Sequence, residues 1–575
     1  MKIQPRSTPR SASAAAMAPD LVLFQLGRWI LHLFPYSVSK SILFSAACVS
    51  RHWALVLLPL LWSDIRFEAK SGVKAMRVFT DLTEKNIFGQ CDPSKEPRSL
   101  LPYGRFVKRV RFLGKSKDYM VSRVLPLFVN AEAIQCQFMQ PFRTPFLNSL
   151  LALAMPRLAE LELKWLKMDV AKSERSIQLN SVTASSLARE WDLRVLKVTG
   201  CPKFDDAVAR LWIQQAAHIT DLDLSLCSLT ASGLAYAAQQ LGHQLLRFTF
   251  RSRAEGESIL EQHIVHFVTA CPRLEVFTIE SRIWSFALIL PALAEACPRL
   301  TTVFMTSCFS MDQRLFESRN VVSLLRRLLH LTAMNSSFSD VALRSIARNA
   351  TALQKLTVIP YSLPGEDAAM LPMLSFDSDA VLDLGIHLTK LRSLTLTLRG
   401  FITVEDDADE YGFQPGIAPG DLDGGQERSL TIARSIASLV YVVLRSKSLE
   451  QVHLVYGETV SSLWVLQYLE TGVLPSEIIS SFDWRPIEKW VAAIQKGKFN
   501  DVVHSGHFRA DRIRAVTKKQ FPQLWSLAEA GDWPGFVVQW EGFYNHFWVL
   551  LDSSVRHYAT TKTQKQFLAN PLVMG

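Results

Sequence analysis

The side chains of this chain that could bind a metal or attack a carbonyl are its histidines, cysteines and paired carboxylates. Histidine occurs twice as H-x-x-H, at His263/His266 and His504/His507. On a helix this spacing puts both imidazoles on one face and would supply two metal ligands. Neither pair has a cysteine or carboxylate at convincing metal spacing. The cysteines stand at 48, 91, 136, 201, 227, 271, 297 and 308, never as C-x-x-C, at spacings that suggest neither a disulfide framework nor a zinc site. Asp406 and Asp407 lie in an acidic stretch rich in Gly and Pro, whereas acid–base chemistry needs a site held by a scaffold. There is no phosphate-binding Gly loop, G-x-S-x-G elbow or H-E-x-x-H. The reading is a non-enzymatic protein with no catalytic residue, metal or cofactor, working through its surfaces.

Those surfaces must be built by ordinary folded elements. Of the 575 residues 49% are apolar and 20% charged, a globular composition in a chain long enough for several domains or one elongated repeat domain. The net charge of +10 is spread along the chain and does not form the clustered basic footprint of a nucleic-acid binder. Cysteines without a disulfide pattern suit a reducing compartment, cytoplasmic or nuclear. No apolar run reaches the ~18 residues a membrane span needs. Residues 1–18 carry Lys2, Arg6 and Arg10 without an acid and read as a disordered leader, with a targeting peptide as the alternative.

Over residues 19–66 apolar residues recur at helical spacing: Val22, Leu26 and Ile30, then Ile42, Ala46, Val49 and Trp53. Two short helices broken near Pro35 and a third segment from Leu55 are predicted. So few residues make a thin core, which docking onto a partner would reinforce. In one reading Val49, Trp53, Leu61 and Trp62 are simply the core of a helical cap.

Beyond residue 100 the pattern L-x-x-L-x-L returns. Its fullest form is ITDLDLSLCSL at 219–229, and looser matches start at 107, 131, 158, 193, 245, 274, 300, 328, 353, 391 and 449. Eight of the eleven intervals between these starts measure 24 to 29 residues, inside the leucine-rich-repeat range. Helical patterns such as ASGLAYAAQQLGHQ lie between them, and CPRL at 271–274 and 297–300 stops a helix and opens a strand. Each strand–helix unit of about 26 residues must stack on its neighbours to bury its apolar face.

CVSRHW at 48–53 followed by LLW at 60–62 resembles an F-box, although Ala18-Pro19 and Leu21 replace the usual Leu-Pro opening and following acid. With the repeats behind it, the chain is similar to the F-box/leucine-rich-repeat proteins, particularly the irregular fungal kind. The resemblance implies an α/β chain: a short F-box-like helical module at 19–66, then an irregular leucine-rich-repeat solenoid at 100–475. It implies binding to a Skp-family adaptor and cullin ligase core through Pro19, Val22, Leu26, Ile30, Val49 and Trp53. The alternative is a repeat scaffold with no ubiquitin role.

Strand positions alternating with the core face outward and are free to recognise a protein target. They include Asp221, Asp223, Arg247, Arg251, Thr278, Glu280, Thr395 and Thr397, and also Glu160, Glu162 and Lys164. The acidic stretch at 403–428 reads as an exposed loop. Residues 476–575, with six of the fourteen tryptophans, read as a cap over the open end or a small separate domain. Neither nucleic acid nor membrane is expected as a partner.

Overall fold

The computed structural model describes residues 23–28, 30, 36–68, 106–114, 121, 124–138, 157–165, 192–201, 204–216, 218–252, 259–281, 284–307, 313–335, 338–359, 376, 378–396, 434, 436–456, 469–471 and 504–544. The leader, the acidic stretch, Pro19, Val22 and Thr397 lie outside them. The chain forms two compact units, residues 1–253 and 254–575.

The first unit opens with helical residues 23–28, then α1 (Tyr36–Ala47) and α2 (Arg51–Ser63). The apolar spacing from Ile42 to Trp53 predicted one continuous helix, but the chain turns between α1 and α2. Ser50 is extended, and its hydroxyl accepts the Trp53 N–H at 3.1 Å, so it starts a new helix. Leu43, Ala47, Leu57 and Leu60 form a small core of their own, with Leu23, Phe24, Ile30, Ala46 and Leu61 packed against it.

Seven parallel strands follow in chain order: β1 (Asp64–Glu68), β2 (Arg109–Gly114), β3 (Ala133–Phe138), β4 (Glu160–Trp165), β5 (Val195–Thr199), β6 (Asp221–Ser225) and β7 (Arg247–Arg251). Their inward residues meet in register, so Ile65, Val110, Ile134, Leu161, Leu196, Leu222 and Phe248 form one buried row. Helices α3 (Asp206–Gln215) and α4 (Ala231–Leu241) cover this side. In α4, Leu234, Ala237, Ala238 and Leu241 are buried at helical spacing, and Thr230 caps the N-terminus. Phe67 stacks on Phe112 with ring centroids 5.1 Å apart.

The second unit repeats the arrangement with α5 (Glu261–Thr269), β8 (Val276–Ser281), α6 (Ile289–Ala296), β9 (Thr302–Ser307), α7 (Arg319–Leu325), β10 (His330–Asn335), α8 (Asp340–Asn349), β11 (Lys355–Ile359), α9 (Ser378–His387), β12 (Ser393–Leu396) and β13 (Gln451–Tyr456). These strands are parallel. A last strand, β14 (His504–Arg509), pairs antiparallel with β13 and leads into α10 (Ala510–Gln520), α11 (Pro522–Ala530) and helical residues 533–544. Trp533 and Phe536 pack their rings on Tyr441 at 5.2 and 5.1 Å, and Trp540 is fully buried. Aromatic side chains at 533–544 thus cover helical residues 436–445. The stretch GFVVQW, compatible with strand or buried helix, is helical.

All twelve segments picked out by L-x-x-L-x-L become strands, β2 to β13, and the first residue of each motif is buried. Even the weakest matches, at Ala131 and Leu328, hold. Two strands carry no such signal. β1 has alternation but no preceding Leu turn, and β14 reads HSGHFR, its pairing supplied by β13 rather than by its own apolar residues.

Candidate functional site

The N-terminal helices leave several large apolar side chains in solvent. Leu26 is 52% exposed, Phe44 60%, Val49 68% and Trp53 36%. Val49 and Trp53 are therefore not the core of a cap; Leu43, Ala47, Leu57 and Leu60 are. The reason is local. Gly27 faces Leu57 and Leu60 so closely that a Cβ would meet Leu60 Cδ1 at 2.7 Å, which turns its neighbour Leu26 outward. The turn before Ser50 lifts Val49 off α1, and Trp53 lies in the first turn of α2. Of the residues expected to dock an adaptor, Leu26, Val49 and Trp53 are exposed, Ile30 packs inward, and Pro19 and Val22 lie outside the described residues. Phe44 was missed because it lies two residues from both Ile42 and Ala46, off the helical stripe read in the sequence.

The second surface is the outward face of the strands. In the first unit, register places Arg66, Arg111, Gln135, Glu162, Lys197, Asp223 and Thr249 in one row, and Asp64, Arg109, Ala133, Glu160, Val195, Asp221 and Arg247 in the next. The second unit's middle row reads Thr278, Phe304, Thr332, Thr357, Thr395 and His453. One unit thus presents alternating charge and the other mostly hydroxyls.

Among the residues expected to contact a target, Asp221 is half-buried between Lys197 Nζ at 3.6 Å and Arg247 Nη1 at 4.0 Å. Asp223 accepts both the backbone N–H of Ser225 at 3.0 Å and its hydroxyl. Burial pushes the Asp223 carboxyl above the usual range, against the opposing pull of Ser225, Arg251 and Lys197. Arg247 and Arg251 are exposed, and Thr278 and Glu280 are half-buried. Thr395 keeps its outward register but is only 7% exposed, which removes it from the accessible set: side chains around it close over a short hydroxyl.

A cleft of about 300 Å³ opens on the first unit's face, lined by Arg109, Arg111, Gln135, Glu160, Glu162 and Lys197 among others. Ala133, the short residue between β2 and β4, forms its floor; Arg109 Nη2 reaches Glu160 Oε2 at 3.6 Å. Arg109 and Arg111 were not singled out in sequence, although their alternation in VKRVRF marks them as neighbours on one face.

Several residues with intrinsic reactivity are committed to structure, whereas Cys48 is exposed. His263 accepts the Leu260 N–H on Nδ1 at 2.9 Å. Backbone register sets His507 opposite His453. Among the described residues no three His, Cys, Asp or Glu gather as metal ligands. Cys271 donates to Phe267 O, and Cys297 to Cys271 O; burial pushes both thiols up to about 12. Such thiols stay protonated and act as small packing residues. No helix among the described residues is long and apolar enough to cross a membrane.

No protein-family model matches the chain, and no curated protein matches it at a significant level.

Proposed function

We propose that this chain is the substrate-recognition subunit of a Skp–cullin–F-box type ubiquitin ligase: its helical module docks the Skp-family adaptor and the outward strand face of its leucine-rich-repeat solenoid holds a protein target. The observation that carries this reading is the exposure of Leu26, Val49 and Trp53, with Phe44, on a module that has its own core. Large apolar side chains left in water by a module already able to pack mark a docking surface. The protein performs no chemistry itself; holding the target beside the ligase raises its effective concentration.

The test is capture of purified Skp-family adaptor by the full chain, and by a Val49→Asp/Trp53→Ala variant. Both positions are exposed, so the variant should keep its circular dichroism and lose capture. Equal capture by the variant would end the adaptor reading.

One observation favours a scaffold without a ubiquitin role. α2 runs straight into β1, and Lys108 donates its N–H to Ser63 O at 2.9 Å, so the module also closes the end of the sheet. Deleting residues 1–63, which removes the whole module with α2, separates the readings: a stable remainder without adaptor binding supports the first, and aggregation supports the second.

A further inference from the structure

We infer that the cleft over β3 recognises a protein segment carrying one acidic and one basic side chain, the acid held by Arg109 and Arg111 and the base by Glu160 and Glu162. This deepens the target-binding part of the function proposed above and rests on it. Register places both arginines on β2 and both glutamates on β4, with uncharged Ala133 and Gln135 between them on β3. Within these two rows the face is therefore striped by charge: positive on β2, neutral on β3, negative on β4, with Lys197 of β5 beyond them. Two strand spacings separate the stripes, about 10 Å.

That geometry selects among ligands. Nucleic acid is disfavoured, because the carboxylates of Glu160 and Glu162 stand beside the arginines and repel a line of phosphates. Side chains two or four residues apart on an extended segment, which share one face, or two turns apart on a helix, span the stripes once Arg109 and Glu160 part. Ala133 supplies the room, since a longer residue at that position would fill the cleft.

The charges present are available for exchange. Arg109 and Glu160 meet at 3.6 Å with about half of each side chain in water, and an exposed pair of this kind holds weakly. Arg111 is anchored from its far side by Asp64 at 3.4 Å, which fixes its direction. Opposite charges on an arriving segment replace the Arg109–Glu160 contact without leaving any charge unpaired.

The test uses phage-displayed twelve-residue peptides panned on the full chain. Enriched clones should place Asp or Glu two or four residues, or about seven, from Lys or Arg. A synthetic peptide from that set should bind Arg109→Glu/Arg111→Glu about tenfold more weakly. Adding Glu160→Arg/Glu162→Arg exchanges the stripes, restores the internal pair and should bring binding back, because the peptide then docks reversed. Arg109→Gln/Arg111→Gln serves if the reversal fails to fold. Three results would overturn the inference: no charge-paired enrichment, binding indifferent to the arginine substitutions, or selection of acidic peptides alone with displacement by heparin. Adaptor capture should be unchanged in all these variants, so failure here is distinct from failure of the adaptor reading.

Discussion

The guanidinium of Arg327 donates to the carbonyl of Cys297 at 3.0 Å, and the same Nη2 reaches Leu293 O and Ala294 O at 3.2 and 2.8 Å. One cation thus reaches Ala294 O at the end of α6 and adds a second donor to Leu293 O and Cys297 O, which also accept the N–H groups of Cys297 and Leu300. Arg514 does the same for helical residues 436–445, donating to Val443 O, Ser446 O and Leu449 O. At the other helix end acids play the matching part. Glu261 at the start of α5 accepts the N–H groups of Leu288 and Ile289, and Asp206 at the start of α3 accepts that of Thr230. Each repeat thereby caps a helix of its neighbour.

Arg327→Met should lower stability by about 2 kcal/mol, since it removes a charged donor from Ala294 O and from two carbonyls that keep only their backbone partners. Urea unfolding of the full chain measures it, with Arg326→Met, an exposed neighbour, as the control. Equal midpoints for the two variants would show that water caps α6 as well as Arg327 does.

Glu261→Ala should cost about 1 kcal/mol, the usual worth of an N-terminal cap. The loss should be local: amide hydrogen exchange should accelerate in residues 288–292 and stay unchanged in α8. Uniform acceleration, or none, would contradict a cap held between repeats.

Gly27→Val should disrupt the helical module. Its side chain would enter space held by Leu57 and Leu60, and overpacking of this kind costs about 1–3 kcal/mol. Adaptor capture should fall with it, although position 27 is buried and touches no partner. Undiminished capture by a fully helical variant would mean that the helix at 23–28 does not position Leu26.

Lys40 predicts a pH effect. Its ammonium donates to Leu60 O and Leu61 O at the end of α2, and burial lowers its pKa from 10.5 to about 8, with Asp64 opposing and Arg66 assisting. Between pH 8 and 10.5 the folded chain holds fewer protons at this group than the unfolded chain. Its contribution to stability therefore rises with pH across that window, and the cost of burying the charge is fully present below pH 8. Measured relative to Lys40→Met, the wild type should gain about 2 kcal/mol from pH 7.5 to 10.5, the order expected for a shift of this size. Parallel pH profiles for the two proteins would disprove it.

Much of this architecture is legible in the order of residues alone. A repeat period with a buried leucine before each strand needs only local alternation and a turn, so ITDLDLSLCSL and its relatives locate β2 to β13 without tertiary information. The same alternation determined which strand residues face outward. The tertiary structure decided what those residues became. Thr395 and Asp223, each on its own unit, hold outward strand positions as Arg247 does, yet the first is buried and the second half-buried. Val49 and Trp53 have helical spacing that suits a core, and only the turn at Ser50 with the close approach at Gly27 exposes them. The cleft between Arg109 and Glu160 joins residues 51 positions apart in sequence, brought together by strand register. Local pattern sets which way a side chain points, because it depends on backbone geometry alone; what surrounds that side chain depends on distant segments, and folding alone brings those near.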